Sequence, residues 1–312
     1  MAGERAGRMR AFAKINLMLR VLGVRADGYH DLRTIFQSIG LHDTLTFVRA
    51  SGPLRIECDD PACPVDRTNL VWRAADEVWR VAGRRGVPRD VLVRIAKRIP
   101  VQAGLGGGSS DAATTLRALA RWWRVDAAGG KLDGIARRLG ADVPFFLTGG
   151  TVLGLERGDL LFPLADIPSA WVALVIPPFR VSTGEAFAWW DGSDEALTNR
   201  RLDDVPAGVH SARGHARQAQ TNDLEAAVRR RHPEIPRLVR ALRRHGAWHT
   251  AMSGSGSAVF GLFGHRRAAE RAARDLNGVV TRTVNRTQYQ RLAGIAGHRI
   301  DLPFAPRGSG HS

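Results

Sequence analysis

The stretch IPVQAGLGGGSSDAATTL, residues 99–116, decides how this chain is read. Gly104, Gly106, Gly107 and Gly108 fall within five positions, and Ser109 and Ser110 follow at once. Glycine carries no Cβ, so such a loop can bring its backbone N–H groups against an anion. Beyond it, Ala112, Ala113, Leu116, Leu119, Ala120 and Trp123 recur at helical spacing, and the serines are expected at the capping position. A glycine turn feeding a helix N-terminus gathers free amides and the positive end of the helix dipole on one spot, which suits a phosphate. A flexible linker is the plainer alternative, but linkers seldom join a strand pattern to a capped helix. No lysine follows the glycines as the P-loop GxxxxGK[ST] requires, and Ser109 stands at the third glycine of GxGxxG. The loop therefore points to phosphate but to neither of those two folds.

A chain of 312 residues with 44% hydrophobic content can bury a full core, and two domains are expected. No run of about 18 apolar residues occurs, and MAGERAGRMR has no apolar h-region, so a cytoplasmic protein with no membrane partner is expected. Cys58 and Cys63 lack metal spacing and are read as reduced bystanders. His245 and His249 straddle Gly246, which argues against a catalytic zinc site; other metal ligands are not readable. The formal charge of +16 fits a nucleic-acid binder or an arginine-rich solvated surface. Runs such as RRAAERAAR at 266–274 have no interleaved aromatics, which favours the second. Among 46 basic residues only Lys14, Lys97 and Lys131 are lysine, so a lysine in an apolar or glycine-rich setting stands out.

In chain order, RAFAKINLMLRVL at 10–22 reads as a strand with Lys14 and Asn16 on one face and Ala13, Ile15 and Leu17 on the other. A turn at 25–31 carries Asp27-Gly28 and then Tyr29-His30. Strands at 34–40 and 44–49, a helix from about Asn69 to Val81 and a strand at 90–100 follow, the last bearing Lys97. KLDGIARRLG is a short helix whose Gly140 suits a left-handed cap, leaving Asp142 at a helix–strand corner before Pro144. Residues 149–164 read as a hairpin. The second half has strands at 171–178 and in WHTAM, AVFGLF and GVVTRTV, with helices after Ser182, near 222–231 and 234–245, and over HRRAAERAARDL. That is ferredoxin-like order. A second glycine-serine loop, SGSGS, spans 253–257, and the end from Pro306 is polar and expected to be disordered.

Three segments in order, AKINLMLRVLGVRADGYH at 13–30, PVQAGLGGGSSDAA at 100–113 and MSGSGSAVF at 252–260, resemble the GHMP superfamily of galactokinase, homoserine kinase, mevalonate kinase and phosphomevalonate kinase. RADGYHDLRTIFQSI, KRIP, GADVPFFLTGG and PPFRVSTGEAF are similar to its branch that acts on a cytidine-diphosphate-linked methylerythritol in non-mevalonate isoprenoid synthesis. The resemblance covers nearly the whole chain. The loop differs in having Gln102 where the family often has glycine.

The resemblance implies an α+β fold: an ATP-binding domain over 8–165, like ribosomal protein S5 domain 2, and a ferredoxin-like substrate domain over 166–300, with a tail at 301–312. It implies ATP and Mg²⁺ as cofactors, a small-molecule acceptor, no nucleic-acid partner, and a monomer or homodimer. By the same carry-over Asp142 takes the hydroxyl proton and Lys14 holds the charge beside it. Pro100, Val101, Gln102, Ala103, Gly104, Leu105, Gly106, Gly107, Gly108, Ser109 and Ser110 would wrap the ATP phosphates. Tyr29, His30 and Phe187 match positions around the cytosine, with Asn16 and Lys97 toward substrate. Phosphoryl transfer asks for these types, since it depends on positioning and charge stabilisation. Asp111 resists the picture, because a carboxylate in the first helical turn repels phosphate unless it faces away or reaches Mg²⁺. Two alternatives stay open: a homoserine- or mevalonate-type kinase, and a basic nucleic-acid-binding protein on an S5-like fold.

Overall fold

The computed structural model describes residues 6–125, 130–193 and 222–295. The tail expected at 301–312 lies outside them. The first half forms a six-stranded sheet from β1 (Ala6–Val24), β2 (His30–Pro53), β3 (Arg55–Cys58), β4 (Arg89–Ala96), β5 (Thr151–Glu156) and β6 (Leu160–Pro163). Its order is β3-β4-β2-β5-β6, with β1 also paired to β2. The two strands expected at 34–40 and 44–49 are one strand, β2, because β1 runs antiparallel beside both stretches. The register slips around Gly40, between the pairs Phe12–His42 and Lys14–Ser38, and that irregularity reads as a break in the sequence. β2 bonds β5 with its first part and β4 with its second, so it is the spine of the sheet.

Helices α1 (Leu70–Val81), α2 (Gly107–Trp122) and α3 (Lys131–Leu139) pack on the sheet through a core that includes Phe47, Val93, Leu116 and Ile135. Asn69 caps α1 by accepting from the Val71 N–H at 2.8 Å. The expected serine cap of α2 is a correction. Its N-cap is Gly106, at φ 71°, and Ser109 and Ser110 lie inside the first turn. Gly140 is also not the left-handed cap expected, since its φ of 167° is extended backbone open to any residue. The chain turns there into a short helix, α4 (Phe145–Thr148), so Asp142 stands between two helices and not at a helix–strand corner. The β5–β6 hairpin follows as expected.

The second sheet has the antiparallel order β10-β7-β9-β8, from β7 (Trp171–Val175), β8 (His249–Met252), β9 (Val259–Phe263) and β10 (Val279–Arg282). Helices α5 (Thr183–Asp191), α6 (Asp223–Arg231), α7 (Glu234–Arg244) and α8 (Arg266–Asp275) cover it, which is the ferredoxin-like arrangement. Ser182 and Glu185 start α5 with a reciprocal capping box. A last helix, α9 (Arg286–Leu292), is not foreseen in the sequence. It returns to the first half, where Tyr289 packs against Phe12 and donates from its hydroxyl to the Phe146 carbonyl at 2.7 Å.

Candidate active site

Between the two sheets lies a cleft of about 1050 Å³, lined by every residue expected to act in catalysis or to bind ATP or acceptor except Ser110. Ser110 is fully buried behind the loop, and its Oγ has no hydrogen-bond partner among the described residues.

One wall is the glycine loop. The Lys14 N–H donates to the Leu105 carbonyl at 3.0 Å, which ties the loop to β1. A Cβ at Gly106 would lie 2.7 Å from the Phe146 ring and 3.2 Å from Lys14 Cγ, so this position is closed to other residues by both its φ and its neighbours. Gly108 differs. A Cβ there would meet only Leu70 Cδ1 at 3.9 Å, so its bareness serves space in the cleft and not internal packing. Gln102 sits at φ 59°, in the left-handed region where glycine is the easier choice, and its side chain is exposed at the loop entrance. The SGSGS loop braces the glycine loop from behind: Ser253 Oγ donates to the Gly104 carbonyl at 2.9 Å. A Cβ on Gly254 would lie 3.1 Å from Lys14 Nζ and 3.3 Å from Asn16 Oδ1.

Lys14 and Asn16 are buried at 3% and 2% exposure, so the polar face of β1 is turned inward rather than to solvent. Lys14 Nζ donates to Asn16 Oδ1 at 2.6 Å and lies 3.4 Å from Asp142 Oδ2. Asn16 in turn donates to Thr34 Oγ1 at 2.7 Å, and Thr34 donates to the Met18 carbonyl at 2.8 Å. The ammonium is thereby aimed, while the Asp142 side chain keeps 34% of its surface open to the cleft. Such a pair can take a proton from a hydroxyl and stabilise the anion left behind.

Lys97 lies at the other side of the loop. Its Nζ donates to Asp43 Oδ2 at 2.5 Å and to Asp111 Oδ2 at 2.8 Å, and Asp43 Oδ1 also accepts from the N–H groups of Arg98 and Ile99. Desolvation would lower the Lys97 pKa, but the two carboxylates overcome it and push it up. Burial pushes Asp111 up to about 7, against the pull of Lys97 and with the help of Asp43. This settles the direction of Asp111: one oxygen turns from the glycines to Lys97, while Oδ1 has no partner among the described residues. Lys97 is accordingly held at the loop and is not grouped with His30 and Phe187.

Those two meet at the far end. The His30 ring stacks on Phe187, with centroids 4.3 Å apart and an interplanar angle of 20°, and its Nε2 lies 2.7 Å from Asp191 Oδ1. Tyr29 stands out from the wall at 56% exposure, with the Arg157 guanidinium 5.1 Å from its ring centre.

The pattern of the GHMP kinases N terminal domain matches residues 69–150, and that of the GHMP kinases C terminal domain matches residues 208–280. The 4-diphosphocytidyl-2-C-methyl-D-erythritol kinase of Moorella thermoacetica is 40% identical over 88% of this chain and 98% of its own. That of Solibacter usitatus is 41% identical over 94% of this chain and 93% of its own. The chain belongs to the 4-diphosphocytidyl-2-C-methyl-D-erythritol kinase family. A crystal structure of a 4-(cytidine 5'-diphospho)-2C-methyl-D-erythritol kinase agrees, with a TM-score of 0.72 at 34% identity over 89% of this chain and all of that one. The Methanococcus jannaschii mevalonate kinase has a TM-score of 0.63 at 13% identity, which speaks for the two-domain GHMP fold alone.

Within this kinase family fold, the sequence reading passes over Asp43, Thr34 and Asp191. Asp43 is a lone acid in the apolar strand LHDTLTF, a signal that was there to find. Asp191 closes a tryptophan-rich helix and carries no comparable signal.

Proposed function

We propose that this protein, an ATP-dependent small-molecule kinase of the GHMP fold, phosphorylates the 2-hydroxyl of 4-diphosphocytidyl-2-C-methyl-D-erythritol in non-mevalonate isoprenoid synthesis. The observation that carries the reading is the Lys14–Asp142 pair, 3.4 Å apart, facing the glycine loop across one cleft. Asp142 accepts the hydroxyl proton. Lys14, fixed by Asn16, stabilises the developing alkoxide. The N–H groups at the start of α2 have no acceptor further up the helix and bind the transferred phosphate, with the bare Gly108 leaving room for it. Tyr29, His30 and Phe187 receive the cytidine end.

Mg²⁺ prefers hard oxygen ligands and takes one or two carboxylates together with the phosphates it accompanies. The unpartnered Asp111 Oδ1 and the hydroxyl of Ser109, on the same turn of α2, fit that donor set. When bound, the ion supplies charge neutralisation at the phosphates.

A coupled ADP-release assay over several hydroxyl compounds tests the proposal. Turnover is expected with the cytidyl acceptor and not with homoserine or mevalonate. ADP release with either of those, and none with the cytidyl compound, would overturn it.

A further inference from the structure

Asp191 is the last residue of α5, where the helix dipole disfavours a negative charge, and no basic residue shares that last turn. Its side chain is 43% exposed and its hydrogen bond runs to His30. A carboxylate only accepts, so His30 Nε2 carries the proton, and Nδ1 of the neutral ring is left as an acceptor. Nδ1 makes no hydrogen bond to any described residue. The ring is held in its plane by Phe187 at 20° and by Trp190 edge-on at 5.8 Å. A base whose edge meets Nδ1 therefore lies in that plane and roughly parallel to Phe187.

We infer that Asp191 is a positioning residue that fixes His30 with Nδ1 as an acceptor, so that the cleft selects a base bearing an amino group over one bearing a carbonyl in its place. Cytosine has the donor that this acceptor needs, whereas uracil presents an oxygen against it. The mismatch leaves two acceptors facing each other, the kind of unpaired contact that discriminates strongly. The inference rests on the proposal that the cytidine end of the acceptor lies at Tyr29, His30 and Phe187.

The test compares cytidyl and uridyl acceptors at about pH 8, above the ordinary imidazole range, for the wild type and for Asp191→Asn. The Asn side chain offers Nε2 a donor as well as an acceptor, so the ring is no longer held to one tautomer, and a protonated Nδ1 becomes a donor that suits uracil. The preference of kcat/KM for the cytidyl compound is expected to fall at least tenfold, through the acceptor KM, while the KM for ATP stays. Asp191→Ala is expected to weaken both acceptors without this shift. In ¹⁵N spectra the wild-type His30 carries its proton on Nε2, and the Asn variant populates the Nδ1 tautomer as well. An unchanged preference in Asp191→Asn, in an enzyme whose wild type turns over the cytidyl compound, would overturn the inference. So would a wild-type ring protonated on Nδ1. Failure of the wild type to use the cytidyl compound would strike the functional proposal instead, and the ring spectrum would then decide the role of Asp191 by itself.

Discussion

Two lysines flank the glycine loop, and both are buried, at 3% exposure for Lys14 and 8% for Lys97. Their partners differ. Lys97 is enclosed by Asp43 and Asp111, whose side chains are 0% and 3% exposed, so its charge is spent inside the protein. Lys14 has one neutral partner, Asn16, and one carboxylate, Asp142, that stays open to the cleft. The first arrangement holds a loop in place, because Asp43 also grips the N–H groups of Arg98 and Ile99 where the loop begins. The second leaves a charge available to a substrate. Under the proposed roles, burial alone does not tell the two lysines apart, and the exposure of their carboxylate partners does.

The largest effect is expected at the enclosed lysine. Lys97→Met removes the cation from between two buried carboxylates, and breaking such a group by deleting one partner costs about 3–5 kcal/mol. Denaturant unfolding measures it, and an unchanged midpoint would mean that the Asp43–Lys97–Asp111 group does not hold the fold. Lys14→Arg comes next and should act on rate more than on stability. It keeps the charge but places a planar fork where Gly254 and Asn16 leave space for a compact ammonium. A fall in kcat of about 10²-fold, or roughly 2.7 kcal/mol of barrier, is expected. Wild-type turnover by this variant would erase the distinction between the two lysines.

Gly106→Val probes the element between them. A branched residue at φ 71° costs about 1–2 kcal/mol in backbone terms, and its Cβ presses on Phe146 and Lys14. A loss of stability smaller than that of Lys97→Met is expected here, together with a raised KM for ATP. Unchanged kcat and KM would place the nucleotide elsewhere.

The loop, the polar face of β1, the β5–β6 hairpin and the order of the second half were legible because each is a local pattern of period or composition. Lys14 and Asn16 could be noticed on one face, but only the closing of the second half over β1, with Gly254 against Lys14, turns that face inward. The split expected in β2 misread a register slip around Gly40 as a loop, since one strand of 24 residues carries no uniform alternation. The Gly106 cap escaped notice because serine is the commoner capping type, and the φ of 71° that excludes it is set by packing. Asp43, Asp111 and Lys97 are 14 to 68 positions apart in the chain, so their meeting is a property of the sheet and helix that carry them. The placement of α9 likewise depends on Tyr289 finding the Phe146 carbonyl across 143 residues.

The central claim is that Asp142 is the open partner that does the chemistry, and Asp142→Asn tests it most directly. The variant keeps the size and the turn between α3 and α4 but cannot take a proton. The account predicts unchanged ATP affinity and unfolding midpoint, with kcat lowered by about 10²-fold or more. A folded Asp142→Asn protein that turns over at the wild-type rate would contradict it.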